Sequence, residues 1–135
     1  MPVPAARWTT RDTPRESVPP VLFGIGDVSG IPIGQPGLFA RMQGAHDRVF
    51  EKTGLSSIRV VLTWFDGTQV EKAVNLIVKG LPVTREQLAN QVSKLVGDFV
   101  LHKVVRDESP PELYLVALDP VQADIFRVEM HATLF

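Results

Sequence analysis

The chain contains no cysteine, and that one absence removes disulfide bridges, thiolate metal sites and cysteine nucleophiles together. It also lacks an excess of either charge. Fourteen Lys and Arg stand against 15 Asp and Glu, so the formal net charge is −1. A general attraction to nucleic acid or to an anionic membrane is therefore not expected. Long apolar runs are missing as well: none approaches the ~20 residues that cross a bilayer. The opening MPVPAARWTTRDTPRE places prolines and charges where a signal peptide needs an apolar centre. The expected location is the cytoplasm or the interior of a particle, with no secretion signal and no transmembrane segment. No internal repeat is present.

What remains is ordinary for a globular chain. The 135 residues are 44% hydrophobic and 21% charged, which fits one domain around one core. Proline is unevenly spread, with Pro2, Pro4, Pro14, Pro19, Pro20, Pro32 and Pro36 all preceding Gly37. A stretch with so many fixed dihedrals and missing donors forms neither a helix nor a central strand. Residues 1–37 are thus expected to be an extended Pro/Gly-rich arm, with at most a short edge strand at Val21 to Phe23, and residues 38–135 the single domain.

Regular patterns begin after Gly37. Leu38, Met42, Ala45 and Val49, with Phe39 and Phe50 beside them, predict a helix closed by Gly54. SIRVVLTWFDGTQVEKAVNLIVKG predicts a hairpin about Asp66-Gly67. A two-residue loop would set even-numbered residues of one strand against odd-numbered residues of the other. A three-residue loop, Phe65-Asp66-Gly67 with Gly67 left-handed, restores evens against evens and is the predicted form. LPVTREQLANQVSKLVGD predicts a second helix with Thr84 and Gln87 as capping box, a stripe of Leu88, Val92, Leu95 and Val96, and an end at Gly97. FVLHKVV, ELYLVAL and ADIFRVEMHATLF predict three strands. The expected fold is α+β: two helices packed on one face of a mainly antiparallel sheet. Its order is similar to a ferredoxin-like βαββαβ core extended by a C-terminal hairpin, a likeness of topology that carries no function.

The glycine stretch VLFGIGDVSGIPIGQPG (Val21 to Gly37) raises the question of a phosphate-binding turn. That chemistry needs a helix to begin at the last glycine. Gly30 is followed instead by Ile31-Pro32-Ile33, so a connecting loop is expected. If the loop does hold a ligand, Gly24, Gly26, Asp27, Ser29 and His46 would line its site. Gly-Asp-Val-Ser-Gly does not form a nucleophile elbow. Glu129 and His131 share a strand face but lack a third ligand in sequence, and the carboxylates Glu108, Glu112, Asp119 and Asp124 fall around loops. No catalytic residue, metal site or cofactor is expected.

The arm supplies a different kind of candidate. Trp and Arg are favoured interface anchors, so Val3, Arg7, Trp8, Arg11, Arg15 and Val18 are read as contacts to a neighbouring subunit. On the sheet, Val61, Phe65 and Ile77 are more apolar than a solvated face requires and form a second candidate interface. The reading from sequence is a non-enzymatic structural subunit, self-associating or docking into a larger assembly through its arm. Its expected partners are copies of itself or other subunits of a virion, phage head or phage tail, with neither nucleic acid nor membrane involved. The alternative is a small ligand-binding module or enzyme using the Gly24 to Gly30 loop.

Overall fold

The computed structural model describes residues 19–64, 67–101, 112–122 and 124–133. Among these described residues ten strands occur in chain order: β1 (Val21–Leu22), β2 (Gly24–Ile25), β3 (Val28–Ser29), β4 (Ile31–Pro32), β5 (Ser57–Thr63), β6 (Gln69–Asn75), β7 (Ile77–Val78), β8 (Leu81–Pro82), β9 (Glu112–Gln122) and β10 (Ile125–Thr133). Between β8 and β9 lies α1 (Arg85–Leu101), the one α-helix among the described residues.

The main sheet has the order β1-β9-β10-β5-β6, with β4 also paired to β9. It is mixed. β9 and β10 form a long antiparallel hairpin, β5 and β6 form another, and β10 joins the two by running parallel to β5, with Phe126 opposite Val60. β10 is thus central, and its alternation of Phe126, Val128, Met130 and Ala132 with Arg127, Glu129 and His131 buries the first set against the core. In β9, a register shift at Val116 lets both Leu115 and Leu118 face inward despite their odd spacing.

The hairpin at Asp66-Gly67 has the register expected from its faces. Ile58 pairs with Val74, Val60 with Lys72 and Leu62 with Val70. The Trp64 amide donates to the Thr68 carbonyl (2.9 Å), the Gly67 amide donates to the Trp64 carbonyl (2.9 Å), and Gly67 has φ 86°. These bonds close the three-residue loop with its left-handed glycine.

The expectation of two helices on a mainly antiparallel sheet fails. Residues 36–53 form no α-helix but two 3-10 turns, Pro36–Arg41 and Glu51–Thr53, with tight turns between them. Bonds such as Met42 N–H to Phe39 C=O and Ala45 N–H to Met42 C=O skip only three residues. The buried side chains Phe39, Met42 and Ala45 recur every three residues, the 3-10 period, and Gly44 at φ 70° interrupts any continuing helix. Of the predicted stripe, Met42 and Ala45 are buried while Leu38 and Val49 are half-buried, and Phe39 and Phe50 beside it are buried from 3-10 and tight turns rather than from an α-helical face. A ferredoxin-like order is excluded by the same finding.

The helix α1 also departs from expectation at its end. Its start is as read: the Thr84 amide donates to Gln87 Oε1 (2.9 Å) and the Gln87 amide to Thr84 Oγ1 (3.2 Å), a reciprocal capping box. Gly97 does not stop it. The helix continues to Leu101 because Phe99 is buried and meets Trp64 edge-to-face at 6.0 Å. The expected strand FVLHKVV is therefore helical at residues 99–101, and the rest of it lies outside the described residues.

One core joins these pieces. Leu88, Val92 and Val96 of α1 and Phe39, Met42 and Phe50 of the 3-10 segment pack with Ile58, Val60, Leu62, Phe126 and Val128 of the sheet. Phe50 and Phe126 meet edge-to-face at 5.4 Å. Val21, Phe23 and Ile31 belong to the same core, which makes the stretch from β1 to β4 part of the sheet.

Candidate functional site

The glycine stretch is neither a phosphate-binding turn nor a loose connection. β1 runs antiparallel to β9, pairing Val21 with Leu118 and Leu22 with Ala117, and the Phe23 amide donates to the Val116 carbonyl (2.9 Å). β4 resumes on the same strand where β1 left off, pairing Ile31 with Leu115 and Pro32 with Tyr114. Together they trace one edge strand that is interrupted for residues 24–30. The interruption is itself a hairpin, β2 against β3, with its neck closed by the Gly30 amide donating to the Phe23 carbonyl (2.8 Å).

The glycines are required at this neck. A Cβ on Gly24 would lie 2.5 Å from the Val28 carbonyl oxygen, and one on Gly30, where φ is 93°, would press on Tyr114 (3.3 Å) and Val116 (3.4 Å). The hairpin is held to the body by the Gln43 amide donating to the Gly24 carbonyl (2.9 Å).

Between the hairpin and the turn at residues 43–47 lies a cleft of about 550 Å³, lined by Gly24, Gly26, Asp27 and Ser29 on one wall and by Gln43, Gly44, Asp47 and Arg85 on the other. Its floor is tied to the start of α1. The Arg85 amide donates to the Asp47 carbonyl (2.8 Å) and the Glu86 amide to the Ala45 carbonyl (3.0 Å), satisfying helix-start donors. Arg85 Nη1 donates to the carbonyls of Gly44 (3.0 Å) and Gln43 (3.3 Å) and to Asp47 Oδ2 (3.2 Å). Gly44 has no Cβ because one would sit 1.9 Å from that nitrogen.

Four of the five residues expected around a ligand loop, Gly24, Gly26, Asp27 and Ser29, are thus gathered on one wall. The fifth, His46, is exposed beside the cleft and does not line it; its neighbour Asp47 does. Sequence reasoning noticed Asp47 only as the neighbour of His46 and did not name Gln43 or Arg85 at all. The one signal was Gly44, a glycine inside an apparent helix that marks close approach by another group. Chemically the cleft offers a hydroxyl, two carboxylates and a guanidinium already engaged, which suits polar contacts to a small ligand. The Ser29 hydroxyl has no base within hydrogen-bond reach among the described residues.

The other candidates are dispersed. Val3, Arg7, Trp8, Arg11, Arg15, Val18 and Phe65 lie outside the described residues. Val61 is fully buried between Arg127 of β10 and Glu71 of β6, while Ile77 is half-buried in the small β7–β8 hairpin, so the two share no face. The outer face of the sheet carries paired charges instead. Arg59 bridges Glu71 (3.0 Å) and Asp124 (3.3 Å), Arg127 meets Asp119 (3.1 Å), and His131 lies 3.9 Å from Glu129. Hydrogen bonding to Asp124 and the fields of both carboxylates raise the Arg59 pKa above its ordinary value. Among the described residues no group of three or more His, Cys, Asp or Glu is placed to hold a metal ion. Nor is any helix there long and apolar enough to cross a membrane.

The two edges of the main sheet differ. The β1/β4 edge is short, broken by the hairpin and studded with Pro19, Pro20 and Pro32, features that blunt strand addition. The β6 edge runs unbroken for seven residues. Asn75 at its end is closed off by α1: its amide donates to Gln91 Oε1 (3.1 Å) and its carbonyl accepts from Gln91 Nε2 (2.7 Å). Alternation then directs the backbone groups of Ala73, Glu71 and Gln69 outward too, and among the described residues nothing pairs with them. Compared with models of known protein families, with curated proteins and with solved structures, the chain shows no match.

Proposed function

We propose that this protein is a structural subunit that self-associates, with the segment before Pro19 reaching a neighbouring copy. The observation that carries the reading is the contrast between the sheet edges. Exposed, unbroken edges template further strands, and monomeric proteins guard against this with prolines, bulges and short strands. Here one edge is guarded by such devices and the other presents three residues whose outward backbone groups pair with nothing among the described residues. A component of a virion, phage head or phage tail remains the particular form proposed, on the general ground that small subunits with extended arms interlock. Light scattering on a size-exclusion column tests it. A defined multimer of the full 14.9 kDa chain is the expected result, and a monomer across the accessible concentration range overturns it.

A second reading, a small-ligand module, is favoured by the 550 Å³ cleft, which falls within the size range of ligand pockets, ~300–1,000 Å³. Ligand-observed NMR of the full chain against small amines and carboxylic acids tests this reading. Binding that is lost in Ser29→Phe, at an unchanged unfolding midpoint, would support it; fragments that bind equally to both chains would sink it.

A further inference from the structure

Resting on the self-association reading, we infer that the occupant of the β6 edge is residues Ala5–Thr9 of a second copy, added as an antiparallel strand. Three features fix the choice. The open part of the edge is Gln69–Ala73, because Gln91 closes Asn75. The chain before Pro19 has one proline-free window as long as the five open residues, residues 5–13 between Pro4 and Pro14, since residues 15–18 number only four. A strand drawn from that window must match the edge in both charge and face.

Only a register that places Arg7 opposite Glu71 does this well. Arg59 already holds two carboxylates, Glu71 and Asp124, so the cluster carries an uncompensated negative charge that a second guanidinium balances. The same register sets Trp8 opposite half-buried Val70, on the face where Trp64 packs against Phe99. It puts Ala6 beside Lys72 and Thr9 beside Gln69. Pro4, which has no amide to donate, then falls opposite Val74 at the point where the open edge ends.

Pairing of β6 with β6 of a second copy is disfavoured. A two-fold axis at the centre of the open stretch, the one register that pairs all of Gln69–Ala73, sets Glu71 against Glu71, and like charges directly opposite destabilise a ladder. Pairing within the same chain is disfavoured by the topology. β1 and β6 are the opposite edges of the sheet, four strand spacings or about 19 Å apart, so a chain's own arm must cross a whole face, whereas a neighbour's edge needs no crossing.

The absence of native cysteine makes the test direct. The full chain carrying Ala6→Cys and Lys72→Cys together is oxidised gently, after light scattering of the reduced sample. Opposed residues of this non-hydrogen-bonded pair lie about 4.5 Å apart, within disulfide range. Covalent multimers that need both substitutions are the expected result, with most of the chain cross-linked. Three results overturn the inference: free thiols in a sample that is multimeric, an intrachain disulfide at monomer mass, or dimers formed by Lys72→Cys alone. The first leaves self-association standing and rejects only the arm as occupant. A reduced sample that is already monomeric rejects both.

Discussion

At the scale of single residues, two glycines carry very different loads. Gly44 combines φ 70° with a site where Arg85 Nη1 occupies the space of a Cβ. An alanine there pays for a left-handed backbone and displaces a charged donor from two carbonyls, so Gly44→Ala should cost about 3 kcal/mol. Gly26 also has positive φ, 58°, but nothing lies within 4 Å of its missing Cβ. Gly26→Ala should therefore cost only about 1 kcal/mol. Thermal unfolding separates the two, with a midpoint lower by roughly 12 °C for the first and 4 °C for the second. The site was legible in the sequence only along one wall. Gly24, Gly26, Asp27 and Ser29 stood out because glycines and small polar residues cluster there. Arg85 did not, because its bond to Asp47 spans 38 positions and no local pattern announces such a contact.

At the scale of elements, α1 gives the sharpest tests. Gly97 lies inside the helix with open space around it, so Gly97→Ala should stabilise by about 0.5–1 kcal/mol by restoring helix propensity. Were Gly97 a helix terminus, the same change would destabilise. Thr84→Ala should cost about 1 kcal/mol through loss of the capping box, and chemical denaturation measures both. The capping box and the bulged hairpin were readable because each is written within a few neighbouring residues. The first predicted helix was not, since Phe39, Met42 and Ala45 satisfy a spacing of three as well as a spacing drawn from the 3.6-residue turn. Only Gly44 distinguishes the two, and the choice was settled by packing on Phe126 and Arg85 rather than by local propensity.

At the scale of the whole molecule, β10 holds the sheet together. It pairs with β9 on one side and with β5, some 65 positions earlier, on the other. Hydrogen exchange should therefore find the strongest protection at Phe126–Val128 and much weaker protection, by orders of magnitude, in the β2–β3 hairpin, which hangs on three backbone contacts at its neck. Equal protection in the two would contradict the central position of β10. This parallel pairing could not be read from sequence, because alternation identifies a strand and its buried face but says nothing about which distant strand lies beside it. The mixed sheet follows from that single parallel pairing, the one departure from an otherwise antiparallel arrangement.

The interrupted edge strand has one more consequence. Because Phe23 and Gly30 are bonded directly to each other, the ladder on β9 is indifferent to how much chain lies between them. The tip at Gly26-Asp27 is consequently a grafting point, where an epitope or a foreign loop of ten or more residues can be displayed at an entropic cost of roughly 1 kcal/mol. Such a graft leaves β6 at the opposite edge of the sheet untouched, so every copy of the chain would carry the inserted sequence on an otherwise unchanged scaffold.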